Sequence, residues 1–215
     1  MKTYLFIATL FLGLLSCTGK DRPETSSVSA DTNFDVPEAT AVPADLDGVV
    51  INGIRWATRN VYHPGTFAHS PHDAGKFFQW NRATAWASTG EASNWDSSIA
   101  EGVEWEGEND PCPEGWRVPT SRELNTLVNT PNVWKTYRNV TGRLFGTYPD
   151  VIFLPSAGHR SGVGAVRHSG TSGYYWSRTQ SGNVGAMGMW FLQGSIGVCN
   201  GWIREVAFSI RCVAE

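Results

Sequence analysis

Lysine is almost missing from this chain, at four residues in 215, and charged residues of all kinds make up only 17%. Globular chains usually carry about a quarter, so a highly charged disordered coil and a basic nucleic-acid-binding tail are both excluded. No heptads, collagen triplets or repeats of roughly 34 or 40 residues appear, which removes coiled coils and solenoids. After the first 16 residues no apolar run approaches the roughly 20 residues of a membrane-spanning helix. A Gly-x-Ser-x-Gly nucleophile elbow is absent. Cysteine is confined to four positions. Tryptophan is the opposite case, with ten residues, all of them beyond residue 55.

The amino terminus reads as an export signal over residues 1–16. Lys2 gives the positive start, and residues 4–15 are almost wholly apolar, a run too short to span roughly 30 Å of hydrocarbon but right for a signal core. Its end, Leu14-Leu15-Ser16-Cys17, resembles a bacterial lipobox, in which a small residue precedes the cysteine that accepts diacylglycerol. Cys17 is therefore the expected lipidation site, and two or three acyl chains satisfy the multiple-chain condition for stable anchoring. Lys20-Asp21 looks like the surface-export signal of Bacteroidota lipoproteins. The expected address is the outer membrane, lipid-anchored, at the cell surface of such a bacterium.

Residues 17–47 form the expected tether: polar, proline-containing, with seven acids against two bases, and too poor in apolar groups to bury a core. One domain, residues 48–215, holds the rest. Its charge is uneven. Glu91, Asp96, Glu101, Glu104, Glu106, Glu108, Asp110 and Glu114 fall between residues 83 and 116 without a single base. That stretch lacks the Asp-x-Asp-x-Asp-Gly spacing of a calcium loop and reads as a solvated loop. Twelve of the domain's fourteen bases are arginine, which favours planar hydrogen-bonding roles over simple solubility.

Periodicity gives the elements. Asn52-Gly53 between two short apolar runs predicts a hairpin with a type I′ turn. Thr120 with Glu123 three residues later predicts a capping box, and Leu124, Leu127 and Val128 place one apolar face on the helix that follows. Residues 151–154, 174–179, 187–193 and 206–213 are strand-like. These segments predict an α+β domain with one main helix, short strands and long glycine-rich loops. With Cys17 committed to lipid, Cys112, Cys199 and Cys212 give one pair and one remainder. A bridge from Cys112, ahead of the helix, to Cys212, in the last strand, would staple the domain's ends and leave Cys199 spare.

Four ordered segments then carry a resemblance. They are Asp110-Pro-Cys-Pro-Glu-Gly-Trp-Arg-Val-Pro-Thr120, Phe153-Leu-Pro-Ser-Ala-Gly-His-Arg160, Gly173-Tyr-Tyr-Trp-Ser-Arg178 and Phe208-Ser-Ile-Arg-Cys-Val213. With the opening Val50-Ile-Asn-Gly-Ile-Arg-Trp-Ala-Thr-Arg-Asn60, they resemble the Fibrobacter succinogenes major paralogous domain (FISUMP) over residues 48–215. The resemblance implies a C-type lectin-like fold, related to formylglycine-generating enzymes, with short, mostly antiparallel strands. It also implies a cysteine near the helix bonded to one in the last strand, here Cys112 to Cys212. Proteins of this family occur as surface lipoproteins and proposed adhesins.

The expected function is non-catalytic binding of a glycan or a surface protein. Loops over residues 156–173 and 177–204 offer His159, Arg160, Arg178, Asn183, Asn200 and Trp202, combining planar polar groups for hydroxyl pairs with an aromatic face for a sugar ring. The calcium-lectin triplets Glu-Pro-Asn and Gln-Pro-Asp are absent, and Trp176-Ser-Arg178 puts a cation where a calcium ligand would sit. No metal, no other cofactor, no nucleic acid and no enzymatic role is expected. His63, His69 and His72 lack a helical zinc spacing, and formylglycine-type chemistry needs two neighbouring reactive thiols. The alternatives are a structural or tip subunit of a surface or pilus assembly and, more remotely, an enzyme related to the formylglycine-generating group.

Overall fold

A computed structural model describes the backbone of residues 20–21 and all of residues 48–215. The signal segment, the expected lipidation site Cys17 and most of the tether lie outside the described residues. Among the described residues, no helix is long and apolar enough to cross a membrane.

The domain is mostly β. Strands account for 46% and helices for 7%, and the strands form five small sheets whose paired strands all run antiparallel. This corrects the expected α+β, C-type lectin-like architecture. The one α-helix among the described residues, Ser121–Val128, has only eight residues and buries just Leu124 and Leu127, too little to form a layer of its own. Its capping box is as expected: Thr120 Oγ1 accepts from the Glu123 backbone and the Glu123 carboxylate accepts from the Thr120 backbone.

The organising element is the meander Ser172–Ser181, Gly185–Leu192 and Ser195–Ile203, extended at its outer edge by Lys20–Asp21 opposite Ile196 and Ser195. Both faces are covered. Tyr175, Met189 and Phe191 pack on one side with the helix's Leu124 and Leu127 and with Phe145, Ile152 and Leu154. Trp176, Ala186, Tyr174 and Trp202 pack on the other with Trp80, Trp105 and Phe208. Gly173 is required here because a Cβ at that position would run into the Phe191 ring. Residues 195–203, read from sequence as part of a loop, form a nine-residue strand.

A second meander, Asn132–Tyr137, Val140–Thr147 and Asp150–Pro155, lies on the helix side. Its first turn places Arg138 and Asn139 at φ 47° and 64°, the positive pair that a type I′ turn needs. The hairpin expected at Asn52-Gly53 is present, with Ile51 opposite Ile54. Residues 206–213 do not make one strand. Ala207–Phe208 joins Lys76–Gln79, whereas Val213–Ala214 lies between Ile54–Trp56 and Trp116–Arg117.

Between the sheets, three fully buried arginines take the place of regular hydrogen bonding. Arg211 donates to Asn60 Oδ1 and to the carbonyls of Ala57 and Phe153. Arg160 donates to the carbonyls of Ala87, Thr89, Gly90 and Gly164. Arg204 donates to those of Ala100, Gly102, Gly182 and Gly185, with its guanidinium 4.0 Å from the Trp80 ring centroid. The acidic stretch expected to be a plain solvated loop is thus pinned from below, and Trp105 within it is completely buried.

Cys112 and Cys212 form a disulfide, with Cα atoms 6.1 Å apart and 100 residues of separation. No cysteine among the described residues is a free thiol, so Cys199, buried in its strand, is not the spare thiol expected from the sequence. The double variant Cys112→Ser/Cys212→Ser should lose roughly 4–5 kcal/mol of unfolding free energy, the loop-closure value for a loop of about 100 residues. Urea denaturation followed by intrinsic tryptophan fluorescence measures this; a loss below about 1 kcal/mol would mean the bridge constrains little.

Candidate functional site

The strand Ser172–Ser181 loses register with its neighbour between Trp176 and Gln180. Such a bulge turns backbone away from the ladder and re-aims the side chains there. The freed groups find other partners. Arg178 N–H donates to the Pro119 carbonyl at 2.7 Å, Thr179 Oγ1 accepts from Ser121 N–H at 2.9 Å, and Thr179 bridges Glu104. The strand, the helix start and the acidic stretch therefore converge at Arg178. Its guanidinium donates to the Trp105 carbonyl at 3.2 Å and pairs with Glu104 at 3.3 Å.

Two shallow grooves flank that guanidinium. One, of about 480 Å³, is lined by Val103, Glu104, Thr120, Thr179 and Gln180 together with Arg178. The other, of about 460 Å³, is lined by Asp110, Glu114, Trp116, Arg117 and Glu215, again with Arg178. In the second groove Trp116 is half-buried and meets Phe67 edge-on at 5.7 Å. Arg117 is held in a fork by the Glu123 carboxylate at 2.7 and 2.9 Å. Burial pushes Glu123 up, but the Arg117 and Thr120 hydrogen bonds outweigh it and hold the carboxyl below its ordinary value. Burial raises Asp110 despite bonds from the Cys112 and Val118 N–H groups, so this carboxyl shapes the turn at the disulfide. The grooves together present planar hydrogen-bonding groups on both sides of a cation, with one half-buried indole in the lining.

The residues nominated from sequence separate into distinct places. Arg178 stands between the grooves, and Asn183 is exposed in the hairpin turn next to the groove residue Gly182. His159 and Trp202 belong to an aromatic cluster: His159 lies 4.6 Å from Tyr174 and stacks on His168 at 5.6 Å, while Trp202 meets Tyr174 at 5.6 Å and Phe208 at 5.4 Å. Neither His159 Nδ1 nor Trp202 Nε1 has a hydrogen-bond partner among the described residues. Arg160 is sealed in the interior with its donors occupied by carbonyls, and Asn200 is exposed on the strand Ser195–Ile203. Sequence reasoning missed Glu104, Asp110, Trp116, Thr120, Thr179 and Gln180. They come from three segments, and no local signal links them; only the bulge brings them together. Among the described residues no three His, Cys, Asp or Glu side chains cluster in a way that could hold a metal.

Burial, with the charges of His168 and Arg167 adding to it, pushes His159 down to about 4 from 6.5. The folded chain thus refuses a proton that the unfolded chain accepts, so this contribution to stability is intact above 6.5 and lost as pH falls from 6.5 towards 4. The melting temperature should drop across that window in the native chain and drop less in His159→Phe, as read by differential scanning calorimetry at fixed ionic strength. Equal slopes in the two proteins would contradict the assignment.

Comparison of the chain with protein-family models, with curated proteins and with solved structures finds no match.

Proposed function

We propose that the domain is a non-catalytic, adhesin-like binding module that takes a glycan in the paired grooves about Arg178. The tether and lipid anchor read from the amino terminus would carry it at the outer-membrane surface. The observation that carries the reading is that one half-exposed guanidinium walls both grooves. Glu104, Thr179 and Gln180 stand on one side of it, and Asp110, Glu114 and Trp116 on the other. Vicinal hydroxyls pair well with planar carboxylate, amide and guanidinium groups, and the apolar face of a sugar ring packs on an indole. The Arg178–Glu104 pair is exposed enough to exchange partners at little cost, since surface pairs contribute only about 0–1 kcal/mol. A hydroxyl pair could therefore replace one arm of it. The ordered motifs that resemble those of FISUMP surface lipoproteins support the same address.

On a glycan array, the lipid-free chain should give reproducible hits that survive chelation. Arg178→Ala and Trp116→Ala should each weaken them by about tenfold, roughly 1.4 kcal/mol, while Asn200→Ala should leave them unchanged. A blank array from folded, disulfide-bonded protein would remove the glycan reading.

A further inference from the structure

Ten large hydrophobic side chains are exposed among the described residues, and six of them, including Val50, Val133 and Val163, are scattered. The other four gather about one buried group. Ile99 and Val103 flank Ala100 and Gly102, whose carbonyls accept from Arg204 Nη1 at 2.9 Å each. The Val184 carbonyl accepts from the Arg204 backbone N–H at 3.1 Å, and Ile203 precedes Arg204 and sits opposite Gly185, whose carbonyl accepts from Arg204 Nε. The four come from three separate stretches of chain. With Cα steps of about 3.8 Å, the backbone of each lies within roughly 10 Å of the same guanidinium. They are 40%, 77%, 52% and 45% exposed in chain order.

Isolated exposed aliphatics need no explanation, whereas a set of them brought together on a rigid base does. The base is rigid because Arg204 is fully buried, spends its donors on four carbonyls and lies against the Trp80 ring. A surface fixed in advance loses little conformational freedom when a partner settles on it. Its unpaired border charge is mainly acidic. Glu101, Glu104 and Glu106 are exposed on either side of Val103, and residues 83–116 contain no base. Of the three cations at hand, Arg204 is buried, Arg178 is tied to Glu104 and the Trp105 carbonyl, and Arg82 is tied to Asp96 and Ser98. An apolar centre within a polar rim is the usual anatomy of a protein interface, and an acidic rim selects for cationic partners and steers their approach.

We propose that Ile99, Val103, Val184 and Ile203 form a docking surface for a basic, aliphatic polypeptide segment of a partner protein, seated over Arg204 and bordered by Glu101, Glu104 and Glu106. The surface is separate from the glycan reading. It shares only Val103 and Glu104 with the grooves, and its two most distant members, Val184 and Ile203, touch neither.

The test uses the full chain and a labelled synthetic peptide of alternating leucine and lysine, with leucine–glutamate and glycine–lysine peptides as comparisons, read by fluorescence anisotropy. The leucine–lysine peptide should bind, and more weakly as salt rises; the other two should bind at least about tenfold less well. Val184→Ser/Ile203→Ser should weaken binding by about tenfold with an unchanged unfolding midpoint, Glu101→Gln should flatten the salt dependence, and Val163→Ser, at an exposed valine elsewhere, should change nothing. Should the double variant fail to fold, Val103→Ser serves in its place. The proposal is overturned if no leucine–lysine binding is seen, if the acidic peptide binds equally, if the double variant binds like the native chain, or if Val163→Ser weakens binding as much. Binding here together with a blank glycan array would leave this surface standing without the grooves' proposed role, and the reverse result would do the opposite.

Discussion

Backbone that leaves water without joining a helix or a sheet still needs hydrogen-bond partners, and burying a carbonyl without one costs on the order of 1–3 kcal/mol. This domain answers that constraint with guanidinium. Arg160, Arg204 and Arg211 are each fully buried, and none has a carboxylate partner among the described residues. Each instead donates to carbonyls from two or more stretches of chain. A guanidinium suits this because its five N–H donors are fixed in a plane and the group stays protonated even where burial pushes Arg211 down to about 10. Removing one such group would strand several acceptors at once.

The same economy explains the arginine-for-lysine preference and the placement of the tryptophans. An ammonium has three donors and a strongly hydrated charge, and it cannot bridge loops in a plane. Trp80, Trp105 and Trp176 in turn send their indole N–H groups to the carbonyls of Ser177, Asn109 and Phe78. They fill volume between sheets that do not stack in regular layers and satisfy irregular backbone as they do so. The Cys112–Cys212 bridge completes the arrangement, tying the turn before the helix to the final strand. Asp110 holds that turn and also lines one of the grooves. The elements that stabilise the molecule and those that shape its grooves are largely the same residues.

The candidate site rests on an interruption of regularity. Had the strand Ser172–Ser181 kept its register through residues 177–179, the backbone there would pair with the neighbouring strand. The bulge instead turns Arg178 toward Pro119 and Glu104. One guanidinium, partly exposed and paired to an exposed carboxylate, differs sharply from the three buried ones, and the difference is solely one of place. Arg160 makes the point from the other side: it was nominated for binding on residue type, and its donors are consumed inside the fold.

Features specified within a few residues were legible in the sequence. Asn52-Gly53 dictated its turn because few other residues accept two successive positive φ angles, and Thr120 with Glu123 dictated the helix start because both partners lie three residues apart. The core strand Asp150–Pro155 announced itself through the continuous apolar run at residues 151–154. What the sequence could not show was how little the helix would weigh against the strands. The turn at Arg138-Asn139 carries no glycine, and Ser195–Ile203 is interrupted by Gly197 and Gly201, so both were hidden from propensity. The grooves and the aliphatic patch were beyond its reach for a deeper reason. They are built from segments up to about a hundred residues apart, joined by a bulge and by carbonyl-to-guanidinium bonds that any residue's backbone can accept. Side-chain chemistry alone determined the turns, the cap and the composition of the core; which arginine is buried and which meets solvent was decided only when the sheets closed around them.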